Sequence, residues 1–529
     1  MPTFRTGVPP LDIGPWAQPN DEAEGLDFSA NGCHTSRMEF NASLANPFAP
    51  TAEQEAIIAA STTGENVVVT AVAGSGKTST LRLIAAANPT KRFLYLAFGK
   101  DIQLEAERTM PSNVESRTAH SIAYAYCAQN HPALMRKMKN DPKPWDTPKI
   151  VGLPYQQAFE DQGETRVMSD KNLMAHVNAT VTRFCHSKDE AITERHVPRE
   201  FGDNVEQGIF ARFIARFAAA AWGDLMSETG SLRFGHDHYL KVWSLDCPVL
   251  NADVVLFDEA QDADPAISHV VENQPTQVIM VGDASQAIYG WRGAVDALSK
   301  FQAPHRLTLT QSFRFGAAIA AFANGFLNAL NAEVRVVGNE AKDSTVTPLG
   351  EADAILCRTN AGVIEYAIMM LDAGKRVAIA GGTKELTSFV RAAQKLMDIE
   401  RTGKGFCAHA ELGAFKTWTD AVEHAGTEDG SDIRIKVKLV QEYGAARLLD
   451  ILASLVDVKT AKPGDYDVVI STAHKAKGLE WDSVKIGADF KLPTEAGELP
   501  SDADLMLMYV AVTRAKLSLD PGILAGLAL

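Results

Sequence analysis

Short apolar runs punctuate the first half of the chain and read as buried strands: Val67-Val-Val-Thr70, Phe93-Leu-Tyr-Leu-Ala-Phe98, Asp253-Val-Val-Leu-Phe257 and Val278-Ile-Met-Val281. Helical patterns lie between them. One opens at Pro50-Thr-Ala-Glu-Gln54 and runs to Ala60, one covers Ser79 to Ala87 with Leu81, Leu83 and Ile84 toward a core, and one starts near Asp101. From about 120 to 245 the pattern is largely helical. The second half repeats the theme from about Leu307. Strands are expected at Ala354–Arg358, Arg376–Ile379, Asp467–Ser471 and Ser483–Ile486, and helices at Gly362–Leu371 and Leu505–Lys516, with a helical stretch at 384–460.

Alternating strands and helices predict an α/β fold with parallel sheets flanked by helices. The expected organisation is two cores, each interrupted by a mainly helical insertion. The first core is 46–119 plus 246–306, split by 120–245; the second is 307–383 plus 461–529, split by 384–460. Residues 1–45, rich in Pro, Gly, Asn and Asp, read as an extended or poorly ordered extension. Its Trp16 and Phe28 are candidate anchors for the body or for a protein partner; an inert tail is the alternative.

The first strand runs into Ala71-Val-Ala-Gly-Ser-Gly-Lys-Thr78. A strand, a glycine-rich loop, Gly-Lys-Thr and a helix start form the context of a phosphate-binding loop. Gly74 and Gly76 let backbone N–H groups turn inward, and the helix N-terminus favours an anion. The span Ala73, Gly74, Ser75, Gly76, Lys77, Thr78 and Ser79 is the candidate cradle, with Lys77 reaching the β/γ-phosphates of ATP and Thr78 holding Mg²⁺. Ala71 stands where the usual pattern has its first glycine. Asp258-Glu-Ala-Gln-Asp262 follows another buried strand. There Asp258 is the second candidate ligand for Mg²⁺ and Glu259 the general base for an attacking water.

Gly282-Asp-Ala-Ser-Gln-Ala-Ile-Tyr-Gly-Trp-Arg-Gly-Ala294 packs an acid, an amide, two aromatics and an arginine after a strand. An amide can bind a phosphate oxygen or the attacking water, and exposed aromatics can stack on bases. Such a loop suits coupling of nucleotide hydrolysis to movement along nucleic acid.

Composition adds boundaries. The 529 residues are 46% hydrophobic, as in an ordinary globular protein, and long enough for several domain-sized units. No run of eighteen apolar residues and no basic-then-apolar leader is present, so neither a membrane partner nor secretion is expected. Cys33, Cys127, Cys185, Cys247, Cys357 and Cys407 are scattered without a Cys-x-x-Cys pair, which suits a reducing cytoplasmic or nuclear location. A net charge of −15 requires any nucleic-acid-binding basicity to be local.

Together, Gly74-Ser-Gly-Lys-Thr78, Asp258-Glu-Ala-Gln-Asp262, Gln286-Ala-Ile-Tyr-Gly-Trp-Arg-Gly-Ala294 and Tyr509-Val-Ala-Val-Thr-Arg-Ala-Lys516 resemble the ordered motifs of UvrD/Rep/PcrA-type superfamily 1 DNA helicases. The resemblance runs from about 47 to 516. Thr118-Ala-His-Ser121, Arg183-Phe-Cys-His-Ser187 and His236-Asp-His-Tyr-Leu240 are more similar to the F-box DNA helicase branch. The resemblance implies two RecA-like P-loop NTPase cores, ATP with Mg²⁺ as cofactors, and 3′→5′ movement on single-stranded DNA up to duplex junctions, in replication, recombination or repair.

It also implies residue roles. Gln54 would read the adenine edge, Gln286 would sense the γ-phosphate, and Arg314 and Arg514 would reach the γ-phosphate from the second core. Glu480 would bond the ribose. Phe313 stands where the family has an aromatic against adenine, a core role being the alternative. Phe98, Tyr289 and Trp291 are base-stacking candidates. Thr118, His120 and His474 are DNA-backbone candidates, with ordinary loop hydrogen bonding as the alternative. Arg136-Lys-Met-Lys139 and the trio Arg434, Lys436 and Lys438 either border the DNA groove or are solvated helix faces. The 384–460 insertion is much shorter than the one relatives usually carry, which opens a second reading as a translocase that displaces bound proteins and unwinds little. A non-hydrolysing, ATP-gated DNA-binding scaffold is the third.

Overall fold

A computed structural model describes residues 49–97, 99–161, 163–289, 297–409, 411–413, 415–426, 431–462, 464–493 and 498–527. Phe98, Trp291 and the 1–45 extension lie outside the described residues. The chain divides into two compact units: one holds the residues up to Ala71 with Gly76–Leu309, the other holds Val72–Ser75 and the chain from Thr310 onward.

The first unit is built on β1 (Val67–Ala71), β2 (Phe93–Ala97) and β3 (Val114–Thr118), then a separate antiparallel hairpin of β4 (Gln156–Asp161) and β5 (Glu164–Ser169), then β6 (Val254–Phe257), β7 (Gln277–Gly282) and β8 (His305–Leu309). Apart from the hairpin these strands form one parallel sheet in the order β3-β2-β6-β7-β1-β8. Period-two alternation sends neighbouring residues of a strand to opposite faces. Val67 and Val69 join Ile57, Leu81, Ile84 and Tyr95 on one face. Val68, Leu96, Val255 and Met280 join the other, which is continuous with Leu173, Phe210, Phe217 and Trp243 of the insertion. The insertion therefore shares a core with the sheet rather than standing apart.

One boundary needs correction here. A second block beginning at Leu307 would cut through β8, which pairs with β1 from Val67↔His305 to Ala71↔Leu309. The insertion also contains the β4–β5 hairpin, whose largely polar strands bury only Phe159 and Met168.

Within the insertion, Lys137 is buried, and its ammonium donates to the carbonyls of Asp224 at 2.7 Å, Leu225 at 2.9 Å and Ser227 at 2.8 Å. It closes the C-terminal end of the helix Asn204–Met226, where carbonyls lack helical partners and attract a cation. Lys137 is thus neither a groove residue nor a solvated one.

The second unit contains β9 (Thr345–Val346), β10 (Ala354–Cys357), β11 (Val377–Ile379), β12 (Val456–Asp457), β13 (Val468–Thr472), β14 (Trp481–Ile486) and β15 (Ala515–Asp520). They form a parallel sheet in the order β12-β11-β13-β10-β14-β15-β9. The helix expected over Leu505–Lys516 is Asp502–Val512 instead. Its cap, Thr513, turns its hydroxyl back to the Tyr509 carbonyl at 2.8 Å, and Lys516 on β15 pairs with Asp482 on β14 at 2.7 Å. The helices Lys384–Thr402, Trp418–Gly426, Ser431–Tyr443 and Ala445–Ser454 bury Phe389, Leu396, Trp418 and Leu448 in one core with Ile364 and Ile368 of the helix Asn360–Asp372. There Lys436 is engaged by Glu385 at 2.8 Å and Glu411 at 2.9 Å, and Arg434 donates to the Ala425 carbonyl. Among the described residues no helix is long and apolar enough to cross a membrane.

The three motifs around His120, His186 and His236 meet in the first unit. His186 bonds the carboxylate of Asp264 through Nδ1 and faces Asp237 through Nε2 at 3.7 Å. His236 bonds the Tyr239 hydroxyl at 2.9 Å, and Tyr239 meets His120 edge to face with ring centres 6.2 Å apart. Asp264 also caps the helix Pro265–Glu272. Hydrogen bonds to Asp237 and Asp264 raise the His186 imidazole to about 10. A folded value above the unfolded one, about 6.5, means that the stabilisation is complete below that value and is lost as pH rises through the folded one. Thermal unfolding should therefore show stability falling between about pH 6.5 and 10, by about 1–2 kcal/mol after solvent screening. His186→Gln should flatten that slope; an unchanged slope in the variant would refute the assignment.

Candidate functional site

Because the first sheet is parallel, the C-terminal ends of β1, β6 and β7 share one edge. Register places Thr70 beside Gly282 and Phe257 beside Met280. The residues that follow these strands, Lys77, Asp258 and Asp283, are thereby gathered without long-range design beyond strand pairing.

The helix after β1 starts at Lys77, two residues before the sequence pattern places it. Gly76 caps it in the left-handed region, with no side-chain cap bond and no acid in the first turn. Its N–H groups are left for an anion. Gly74 also has a positive φ, and a Cβ there would lie 2.6 Å from the Ser312 hydroxyl and 2.7 Å from the Arg314 Cβ. Ser75 presents a buried hydroxyl without a partner among the described residues.

Asp258 is the junction of the site. One oxygen accepts from the Tyr95 hydroxyl at 2.7 Å and the Thr78 hydroxyl at 3.2 Å, and the other from the Glu259 N–H at 2.9 Å. Only 4% of Asp258 is exposed. Burial pushes its carboxyl up, and neighbouring Glu259 adds to the rise against Lys77 and Tyr95. Asp283 is likewise raised by burial, opposed by Lys77. Lys77 has the mirror behaviour: burial works against its charge, yet Glu259, Asp283 and Asp258 hold it above the ordinary lysine value. One ammonium thus faces three carboxylates.

This donor set fits Mg²⁺. Thr78 and Asp258 offer oxygen only, and their 3.2 Å separation is close to the roughly 2.9 Å between adjacent corners of an Mg²⁺ octahedron. A divalent cation would also be attracted by the carboxylate of Asp258. Tyr95 is a supporting residue that the sequence pattern conceals, since it lies inside an apolar strand and reads as core.

Glu259 carries the backbone strain of the site, with φ 52 at a non-glycine position. Its carboxylate lies 3.3 Å from the Lys77 ammonium and accepts from the Gln261 amide. Gln261 in turn accepts from the Asp283 N–H at 3.0 Å, and Asp283 accepts from the Gln286 amide at 2.6 Å. A continuous polar chain therefore joins the candidate base to the candidate phosphate sensor, with Gln261 and Asp283 as links to which the sequence alone gives no role. Gln54 is buried. Its amide accepts from the Thr51 N–H at 3.1 Å and donates to the Thr80 hydroxyl at 3.1 Å, tying its helix to the phosphate-loop helix.

In the second unit Arg314 donates to Glu480 at 2.7 Å and to the Thr513 carbonyl at 3.0 Å. Arg514 is 2% exposed and donates to the Val510 carbonyl at 2.8 Å and the Thr513 hydroxyl at 3.1 Å. Both arginines thus converge on Thr513, and Glu480 serves Arg314. Phe313 has an exposed ring, while its N–H donates to the Gly74 carbonyl at 2.8 Å; the Ala73 N–H reaches the Tyr509 hydroxyl at 3.3 Å.

Of the DNA candidates, Thr118 caps the helix Ala119–Asn130 by accepting from the Ser121 N–H at 3.2 Å. His120 is exposed and follows directly, at the same sheet edge as the phosphate loop. Tyr289 is half-buried beyond β7, and His474 is half-buried in the turn after β13. Phe98 and Trp291 cannot be placed, being outside the described residues.

Tyr95→Phe removes the 2.7 Å bond to Asp258 while preserving the ring. The Mg²⁺ concentration giving half-maximal binding of a fluorescent ATP analogue should rise by roughly tenfold. A curve identical to wild type would mean that Tyr95 does not support the metal ligand.

Comparisons with known proteins agree with this geometry. The UvrD/REP helicase N-terminal domain matches residues 51–305 and the UvrD-like helicase C-terminal domain matches residues 420–520. F-box DNA helicase protein 1 of Schizosaccharomyces pombe is 28% identical over 507 residues, covering 88% of this chain and 56% of that protein. F-box DNA helicase 1 of Gallus gallus is 28% identical over 492 residues, covering 86% of this chain and 47% of that protein. A probable DNA helicase of Mycoplasma pneumoniae is 32% identical over 139 residues, covering 24% of this chain and 25% of that protein. The chain spans about half the length of the two F-box relatives. With both halves of the helicase core matched in order, the chain belongs to the UvrD-like helicase family.

Proposed function

We propose that the chain is an ATP-dependent DNA helicase that moves 3′→5′ along single-stranded DNA and unwinds duplexes. The observation that carries this reading is the linked set of Lys77, Thr78, Asp258 and Glu259, joined through Gln261 and Asp283 to Gln286. In this reading Lys77 leaves Glu259 for the β/γ-phosphates, which frees the carboxylate to take a proton from the attacking water. Gln286 registers the γ-phosphate and passes its state along the amide–carboxylate chain. Thr78 and Asp258 would hold Mg²⁺, which would supply charge neutralisation for the β- and γ-phosphates. Arg314 and Arg514, each held by the segment around Thr513, stabilise the charge that spreads over the phosphoryl oxygens in the transition state. Gln54 orients adenine, Glu480 the ribose and Phe313 the base face. Tyr289, Trp291 and Phe98 grip bases by stacking, which tolerates any sequence, while Thr118, His120 and His474 touch the backbone.

A second reading keeps the motor but replaces unwinding by displacement of bound proteins. The small four-helix insertion within 384–460 favours it, because that element offers little surface with which to hold a duplex.

Strand displacement should proceed on 3′-tailed and fail on 5′-tailed duplexes. Lys77→Ala should lose DNA-stimulated phosphate release by roughly a hundredfold or more. Equal unwinding of both tails would reject the polarity, and wild-type turnover in the lysine variant would reject the mechanism.

A further inference from the structure

The motifs that meet around His186 supply nothing to the ATP site directly, yet one of their contacts reaches its loop. Asp258 follows β6 and Asp264 caps the helix Pro265–Glu272, so Glu259, at φ 52, and its support Gln261 hang between two anchors. The first anchor is held by Tyr95, Thr78 and the Glu259 N–H. The second is held from outside the sheet. One Asp264 oxygen accepts from the Ala266 N–H at 2.8 Å, and the other bonds His186 Nδ1. On so short a tether, a displacement of Asp264 is a displacement of the loop that carries Glu259.

His186 lies on another element, as the C-terminal cap of the helix Asp170–Cys185. Its Nε2 faces Asp237 at 3.7 Å, in the first turn of the helix His236–Asp246. A protonated imidazole has two donors and no acceptor, so it is best anchored between two acids. Those acids keep it protonated at neutral pH. The same first turn carries His236, whose ring bonds the Tyr239 hydroxyl, and Tyr239 packs edge to face on His120 and Tyr124 of the helix Ala119–Asn130. Farther along, Ser244 donates to the Ala266 carbonyl at 2.9 Å, a buried bond that ties the helix His236–Asp246 to the helix Pro265–Glu272. The His186 bridge is the partly exposed tie between them, at the end where Tyr239 meets His120.

We propose that His186 is a positioning residue for hydrolysis: clasped between Asp237 and Asp264, it passes a displacement of His120 by a DNA phosphate to the loop that carries Glu259. The proposal rests on the DNA-helicase reading.

The full chain is assayed for phosphate release with Mg²⁺ and ATP, alone and with a saturating single-stranded oligonucleotide, and for oligonucleotide affinity by fluorescence anisotropy. In His186→Gln, release without DNA, the KM for ATP and oligonucleotide affinity should stay within about twofold of wild type, while DNA-stimulated kcat falls by about fivefold or more. Asp237→Asn removes the opposite acid and should lower stimulation in the same way. The double variant should lose no more than the larger single loss, because both changes act through one clasp. Ser244→Ala removes the buried tie between the two helices and should lower the melting temperature while leaving stimulation intact. Full stimulation or lost oligonucleotide affinity in His186→Gln, additive losses in the double variant, or an equal loss of stimulation in Ser244→Ala overturns the proposal. A wild-type chain without DNA stimulation overturns the helicase reading and the clasp together. A stimulated wild type beside an equally stimulated His186→Gln overturns the clasp alone.

Discussion

One ammonium set among three clustered carboxylates governs this molecule. Lys77 holds Glu259 directly and moderates Asp258 and Asp283, both of which burial pushes toward the neutral form. Such a cluster is costly in a low-dielectric interior. The sheet maintains it because strand pairing brings the ends of β1, β6 and β7 together, and because Tyr95, Thr78 and the Glu259 N–H satisfy the Asp258 oxygens. In the proposed reading a divalent cation would offset the acids, and the helix N-terminus beside them would receive the phosphates.

The rest of the first unit follows from that edge. The polar chain Glu259–Gln261–Asp283–Gln286 crosses from β6 to β7. A little farther on, Asp264 caps the helix Pro265–Glu272 and bonds His186, which faces Asp237 beside Tyr239 and His120. The candidate residues Lys77, Asp258 and Glu259 and the candidate DNA-backbone contacts Thr118 and His120 thus end or follow strands of one sheet. The insertion adds to that sheet's core.

Central strands were legible in the sequence because a parallel strand buried on both faces leaves an uninterrupted apolar run. Val67–Ala71, Val254–Phe257 and Gln277–Gly282 are all of this kind. Edge strands were not, because exposure lets polar residues in. Val114–Thr118 and His305–Leu309 are half-solvated, and the β4–β5 hairpin has only two buried side chains. The last strand, Ala515–Asp520, disappeared into the apolar helix before it until Thr513 was seen to end that helix. Residues whose role is chemical and local, such as Lys77 and Asp258, announced themselves by motif. Residues that act by supporting another could not. Tyr95 reads as core, Lys137 as surface charge, and Gln261 as one letter of a motif, until contacts 163, 87 and 22 positions away give each a partner.

The account makes this acid cluster the engine of a DNA-gated motor, and phosphate release by the wild-type chain tests it most directly. Measured with Mg²⁺ and ATP, release should be slow alone and rise saturably as single-stranded DNA is added. Rates that are equal with and without DNA would contradict the claim that hydrolysis at Lys77, Asp258 and Glu259 is tied to DNA engagement.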